Sequence, residues 1–197
     1  TAYQKLLAQH PEGSRAAAAT YALAWSYFEQ EQMDEGVAAM ATLVREYPAS
    51  EFASKAQFTV GDFHYNRREY EDALAAYSHL VDQYPDSEEA PRARSLVAEL
   101  DEIGATFDYA KVMELFEAEE FEEAVAGFDR ITQKYAGTYT ALASYCNRGL
   151  AYEKMRRWKQ AADSYDLVLE KGGDDLQSAD VVSFAKIHRD WIVENRL

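Results

Sequence analysis

Residues 49–85 read ASEFASKAQFTVGDFHYNRREYEDALAAYSHLVDQYP, and this stretch is one period of a repeat. Its closing Tyr84-Pro85 lies 37 residues after Tyr47-Pro48, which lies 37 after His10-Pro11. Inside it Ala73, Tyr77 and Leu80 follow a small–x3–aromatic–x2–aliphatic spacing. That spacing puts three side chains on one face of a helix at 3.6 residues per turn. The same columns hold Gly36, Met40 and Leu43 one period earlier. Further on they hold Ala124, Phe128 and Ile131, then Ala161, Tyr165 and Val168. Upstream of these, Ala24, Gly61, Val112 and Gly149 form a small-residue column, and Tyr27, His64, Leu115 and Tyr152 form another. The small residue lets a neighbouring helix approach, and the large ones fill the space behind it. Each period therefore reads as two antiparallel helices that bury their apolar faces only by stacking on the next pair.

The period is interrupted once. Tyr84 to Tyr135 is 51 residues, one period plus 14, after which Tyr135-Ala136 and Gly172-Gly173 are again 37 apart. Periodicity predicts helices over about 2–9, 14–30, 34–46, 51–67, 70–83, 87–103, 106–118, 121–135, 138–154, 158–171 and 176–195, with Ser14, Asp34, Ser50 and Asp86 as N-caps. Leu96, Val97 and Leu100 give 87–103 a single apolar stripe, as in a helix that closes an array, and the pattern restarts after Gly104. The expected organisation is an array over 1–104 with 87–103 as its closing or bridging helix. A second pair follows over 105–197, capped by 176–195 through Val182, Ala185, Trp191 and Ile192. One continuous superhelix is the other reading.

The chain resembles the tetratricopeptide repeat family over nearly its whole length. Gly61, Tyr77, Gly149, Tyr152, Ala161 and Tyr165 match its small and aromatic columns, and Pro48 and Pro85 its closing proline. It departs from the family in its longer period and in Val112 and Leu115. It also has Thr20, Gln57 and Asp108 where the family's first large aromatic stands, a position matched only by Tyr145. The strings Tyr84-Pro85-Asp86-Ser87 with Ala90 and Ala93, and Tyr47-Pro48-Ala49-Ser50 with Ala53 and Ala56, are similar to the longer-period repeats of bacterial envelope proteins of the BamD and CpoB (TolA-binding) type. The resemblance implies an all-α, right-handed α-solenoid. It also implies a non-enzymatic scaffold that binds a partner segment on its concave face, in a periplasmic or outer-membrane-associated assembly. The residues themselves do not exclude the cytoplasm.

Composition bounds the chain further. Apolar residues make up 48% of the chain, enough for a packed core, and the net charge is −15. An acidic chain is a poor ligand for a phosphate backbone, so nucleic acid is not an expected partner. The longest small-apolar run, Ala16 to Trp25, is half of the roughly 20 residues a membrane-spanning helix needs. Membrane association is expected only through partners or through sequence upstream of Thr1, because a start at Thr suggests a processed product or fragment. One cysteine, Cys146, rules out an intrachain disulfide.

No phosphate loop, nucleophile elbow or His-Glu-x-x-His is present. Asp62 and His64, two apart on a helix, do not face each other as metal ligands would. The pairs Glu122-Glu123 and Asp174-Asp175 sit at helix starts, where the dipole favours acids. Cys146 lacks an oriented base. No catalytic residue, cofactor or metal is therefore expected. By the resemblance, the inner face of each first helix lines a partner groove. The residues there are Tyr21, Phe58, Tyr109 and Cys146; Trp25, Asp62, Met113 and Leu150; and Phe28, Tyr65, Phe116 and Glu153. Trp25 beside Tyr21 and Phe28 is the best anchor for an apolar segment. Lys55 and Asn147 alone do not make a carboxylate clamp. Arg148, Lys154, Arg156, Arg157 and Lys159 form a candidate basic contact patch around Trp158. The alternative function is a structural subunit that stacks or oligomerises through repeat edges, motivated by the half-unit Tyr3 to Pro11.

Overall fold

A computed structural model describes residues 15–173 and 178–197, so the predicted helix 2–9 and the half-unit Tyr3 to Pro11 lie outside the described residues. Among the described residues the secondary structure is helical: α1 (Ala16–Phe28), α2 (Met33–Glu46), α3 (Ala53–Asn66), α4 (Tyr70–Gln83), α5 (Ala90–Glu117), α6 (Phe121–Lys134), α7 (Tyr139–Lys154), α8 (Trp158–Lys171) and α9 (Ala179–Asn195). The chain divides into two compact units between Leu100 and Asp101.

In the first unit α1 pairs with α2 and α3 with α4 through short turns. Gly36 is needed because the Phe28 ring lies where a Cβ would stand, and Gly61 because the Tyr77 ring does. Met40, Leu43, Tyr77 and Leu80, all at 0% exposure, are the predicted core columns. Ala53 and Ala56 on α3 close onto Met40, Leu43 and Val44 of α2. Ala90 and Ala93 on α5 close onto Tyr77 and Leu80 of α4 in the same way.

In the second unit α6 and α8 repeat the pattern with Phe128, Ile131, Tyr165 and Val168. Tyr165 lies against Gly149 as Tyr77 lies against Gly61. The third repeat inverts the arrangement. Val112 takes the glycine column of the first helix, and Gly127 on α6 provides the space, since a Cβ there would stand 2.5 Å from Val112 Cγ2. The two departures at 112 and 127 are one packing solution with its large and small halves exchanged. Ala185 and Ile192 seat α9 on α8.

The predicted break at Gly104 does not occur. Gly104 is helical within α5, whose 28 residues are twice the 14 of α3. Its first half, 90–103, continues the register of α3 at a step of 37, bringing Ala90 and Ala93 under Ala53 and Ala56. Its second half, 104–117, stands 37 before 141–154 of α7. The extra 14 residues are thus two first helices joined end to end with no second helix between them. Gly104 persists because its small size admits the Tyr135 ring, not because it ends the helix.

The N-caps are also not as predicted. Asp34 lies within α2 and complements its dipole, and Gln32 holds the cap position with no side-chain bond. Ser50 Oγ accepts from Phe52 N ahead of α3 rather than capping it. Asp86 precedes α5 by a turn, and Ser14 lies outside the described residues. Thr138, which was not predicted, caps α7 by accepting from Ala141 N at 3.0 Å.

Order at the turns is built into the C-termini instead. Glu31, Arg68, Glu119 and Arg156 each have φ near 60°. At each, the next residue's N–H reaches back five positions: Gln32 to Tyr27, Glu69 to His64, Glu120 to Leu115, and Arg157 to Tyr152. These are four Schellman caps, and the column Tyr27, His64, Leu115, Tyr152 supplies the accepting carbonyl in every repeat.

Candidate functional site

The inner-face columns fall on α1, α3, α5 and α7, and the two units carry different chemistry. On α1, Tyr21 stacks on Phe52 with centroids 5.0 Å apart, and Phe28 is fixed against Gly36. Trp25 lies between them, 6.1 Å from the Tyr21 ring and 5.4 Å from Phe28, both edge-to-face, yet it is 46% exposed. Its neighbours hold it while leaving nearly half of its surface open. Phe58 is different: it is buried against Tyr77 at 5.5 Å, with the Arg92 guanidinium 5.0 Å above its ring. It belongs to the core and offers little surface. Asp62 accepts from Tyr77 Oη at 2.6 Å, and Tyr65 Oη donates to Glu99 at 2.6 Å. Burial, then the bond to Asp62, pushes the Tyr77 phenol well above its ordinary value, so it stays a neutral donor.

In the second unit Asn147 Nδ2 on α7 donates to Tyr109 Oη and lies 3.8 Å from Met113 Sδ on α5. Phe116 is half-buried between Phe121 and Phe128. Glu153 gathers Tyr165 Oη at 2.6 Å and His188 Nδ1 at 2.7 Å, tying α7, α8 and α9 together. Cys146 is buried, which pushes its thiol up to about 12 and leaves no thiolate at neutral pH. Leu150 is half-buried beside it on α7.

The predicted basic patch does not form as one surface. Arg148 turns inward: its Nη1 pairs with Asp129 of α6 at 2.5 Å and its Nε donates to Ser164 of α8 at 3.1 Å. Two flanking acceptors, invisible to local spacing, draw it in. Arg157 reaches Glu122 at 2.8 Å. Lys154, Arg156 and Lys159 remain exposed.

His64 does not pair with Asp62. Its Nδ1 meets Glu69 Oε2 at 2.7 Å, and Asp72 brings a third donor atom within 4.8 Å of both. Arg67 takes the other Glu69 oxygen at 3.0 Å. A hydrogen bond from His64 and an ion pair from Arg67, both to Glu69 across a tight turn, account for this geometry. Sequence reading also missed Glu102. Its carboxylate accepts from Tyr139 N at 2.9 Å, Thr140 N at 3.2 Å and Thr140 Oγ1 at 2.5 Å, capping α7 from α5. No local signal marks a cap donated from 37 residues away.

Comparison with known proteins adds the family. The profile of the YfiO family, described as outer membrane lipoprotein, matches residues 1–167. The chain belongs to the YfiO family. Among curated proteins no match is found. Among solved structures, this YfiO-family chain is similar to the TPR2AB-domain:pHSP90 complex of yeast Sti1, at 15% identity and TM-score 0.42, over 94% of this chain and 74% of that one. It is also similar to YrrB, a TPR protein with an unusual peptide-binding site, at 14% identity and TM-score 0.34, over 93% and 98%. A tetratricopeptide repeat protein from Parabacteroides merdae aligns at 11% identity and TM-score 0.34, over 90% and 64%. The chain is an all-α tetratricopeptide-type repeat protein of an envelope family, and none of its described helices is long and apolar enough to cross a membrane.

Proposed function

We propose that this protein is a non-catalytic scaffold of a bacterial outer-membrane assembly, gripping a partner segment along the first-helix face of its first unit. The observation that carries this is Trp25, braced by Tyr21 and Phe28 yet 46% exposed. A rigid aromatic left partly open is the kind of anchor that dominates interface energetics. Asp62 and Tyr65 continue the same columns on α3, and Tyr109, Met113 and Phe116 offer a second stretch on α5. Family membership supports the envelope setting.

The test is crosslinked capture from the native envelope fraction, with the Trp25→Ala chain beside the unaltered one. The reading requires a partner retained by the first and lost by the second. Because Trp25 is 46% exposed, its removal should cost about 1–2 kcal/mol of stability, well short of a fully buried aromatic. A loss near 3 kcal/mol, as for a core aromatic, would place Trp25 in the packing instead.

A second reading, a subunit that stacks through repeat edges, is favoured by α9. Phe184, Ile187 and Trp191 form an exposed stripe there at 38, 65 and 45%. Concentration-dependent mass in light scattering, abolished by Ile187→Glu, would select it.

A further inference from the structure

In each regular repeat one side of the first helix is covered by the second helix of the repeat before. The column on that side is small. Ala56 on α3 lies at 0% exposure against the α2 cluster, Ala93 at 0% against α4, and Ser144 on α7 at 0%. The residue in this column on the second half of α5 is Phe107, and it is 66% exposed. One turn earlier, Thr140 on α7 is 7% exposed, whereas Ile103, its counterpart on α5, is 40% exposed. One turn later stand Arg148 and Lys111. Arg148 is neutralised by Asp129, an acid of the covering helix α6. Lys111 instead has a side chain 59% exposed. Its Nζ rests 4.0 Å over the Phe107 ring and 3.5 Å from Asp108 Oδ1 of its own helix.

The cause is the fusion inside α5. Joining two first helices leaves out the second helix that would have covered 103–111. The residues there are not polar replacements suited to an open face. They are larger and more apolar than their covered counterparts, with a cation kept in the register where α7 uses one to meet an acid.

We propose that Ile103, Phe107 and Lys111 are a docking stripe for an amphipathic helix of a partner protein, seated where the omitted second helix would lie. Its apolar side covers Ile103 and Phe107, and a carboxylate on its flank takes Lys111 as Asp129 takes Arg148. Helix-in-groove recognition of this kind reads apolar anchors at helical spacing, and the charge fixes register. In the repeat register these three positions fall in other columns of the first helix than Trp25 does.

The chain supplies its own probe: α6 already plays this part against α7. A stapled, fluorescein-labelled peptide of residues 121–135 is titrated with the full chain and followed by anisotropy. Saturable binding is expected. It should weaken at least tenfold with Phe107→Ser and with Lys111→Glu, two exposed positions at which melting should not change. A peptide carrying Asp129→Lys should bind Lys111→Glu better than it binds the unaltered chain. Three results each overturn the proposal. One is no saturable binding at millimolar chain. Another is binding indifferent to Phe107, as when the peptide displaces the native α6. The third is self-association of the chain that Phe107→Ser abolishes, which would make the occupant a second copy.

Discussion

Exchanging a glycine between the two helices of the third repeat makes a quantitative prediction. Adding a methyl group at Gly127 puts a carbon 2.5 Å from Val112 Cγ2 and 2.8 Å from Cγ1. Carbon atoms rest at about 3.5–4.0 Å, so the shortfall is roughly 1 Å. Val112 cannot swing away, because it is 6% exposed and a helical valine has one strongly preferred rotamer. Overpacking of this size costs about 1–3 kcal/mol, while glycine to alanine inside a helix returns about 1 kcal/mol. Gly127→Ala should therefore destabilise by about 0–2 kcal/mol. Val112→Ala alone should lose about 1.6 kcal/mol for two buried methyl groups at ~0.8 each. Together the clash disappears, and the double variant should be more stable than the sum of the singles by about 1–3 kcal/mol. Urea titration of the full chain, followed in parallel by helical circular dichroism and by tryptophan emission, gives the four free energies if the transitions coincide. A coupling below about 0.5 kcal/mol, the range of ordinary additivity, would refute the exchange of packing roles between 112 and 127.

Two further outcomes follow from the turns. Arg68→Gly should raise stability by about 0.5–1 kcal/mol in thermal unfolding, because the left-handed backbone costs a non-glycine residue ~1–2 kcal/mol and the unfolded-state entropy of glycine returns only part of it; a loss would mean that the Arg68 side chain contributes to the cap. The hydrogen bond from His64, with Arg67 beside it and burial opposing, holds the Glu69 carboxyl below its ordinary 4.5. A depressed carboxyl stabilises the fold above its ordinary value and loses that contribution as pH falls through its native one. The stability gap between the unaltered chain and Glu69→Gln should thus be open at pH 7 and narrow as pH falls below 4.5 in acid titrations, and a gap independent of pH would remove the contacts to His64 and Arg67 from the account.

The repeat was legible because its signal is local. Small, aromatic and aliphatic residues at helical spacing fix which faces are buried, and the core columns Met40, Tyr77, Phe128 and Tyr165 follow from spacing alone. The step of 51 was equally visible in the residues, but its meaning was not. Spacing cannot tell a helix that restarts at Gly104 from one that runs through it, because a single glycine is tolerated inside a helix at a cost of about 1 kcal/mol. Candidate-site residues divide along the same line. Trp25 was singled out through the groove face that the resemblance implies and through its aromatic neighbours at helical spacing. Arg148, drawn in by Asp129 and Ser164, and Glu102, capping a helix from 37 residues away, depend on partners brought in by the fold. Phe107 was passed over because a phenylalanine on a helix reads as core until the helix that should cover it is found to be missing.

The length of α5 also records how such a chain can arise. Between α3 and the first half of α5 lie residues 67–89, which are one second helix with its two flanking turns. Deleting an equivalent stretch from a regular array, in frame and in one event, leaves two first helices abutting and a repeat step of 51. Both cut ends are already helical, so the junction needs no new loop. Fourteen residues are about 3.9 turns, close to a whole number, so the first-helix pattern can restart within one continuous helix. A repeat protein of this register can shed a helix without a new loop in its sequence. The same arithmetic makes the event reversible. A copy of 67–89 inserted after Ile103 would return the array to an unbroken period of 37.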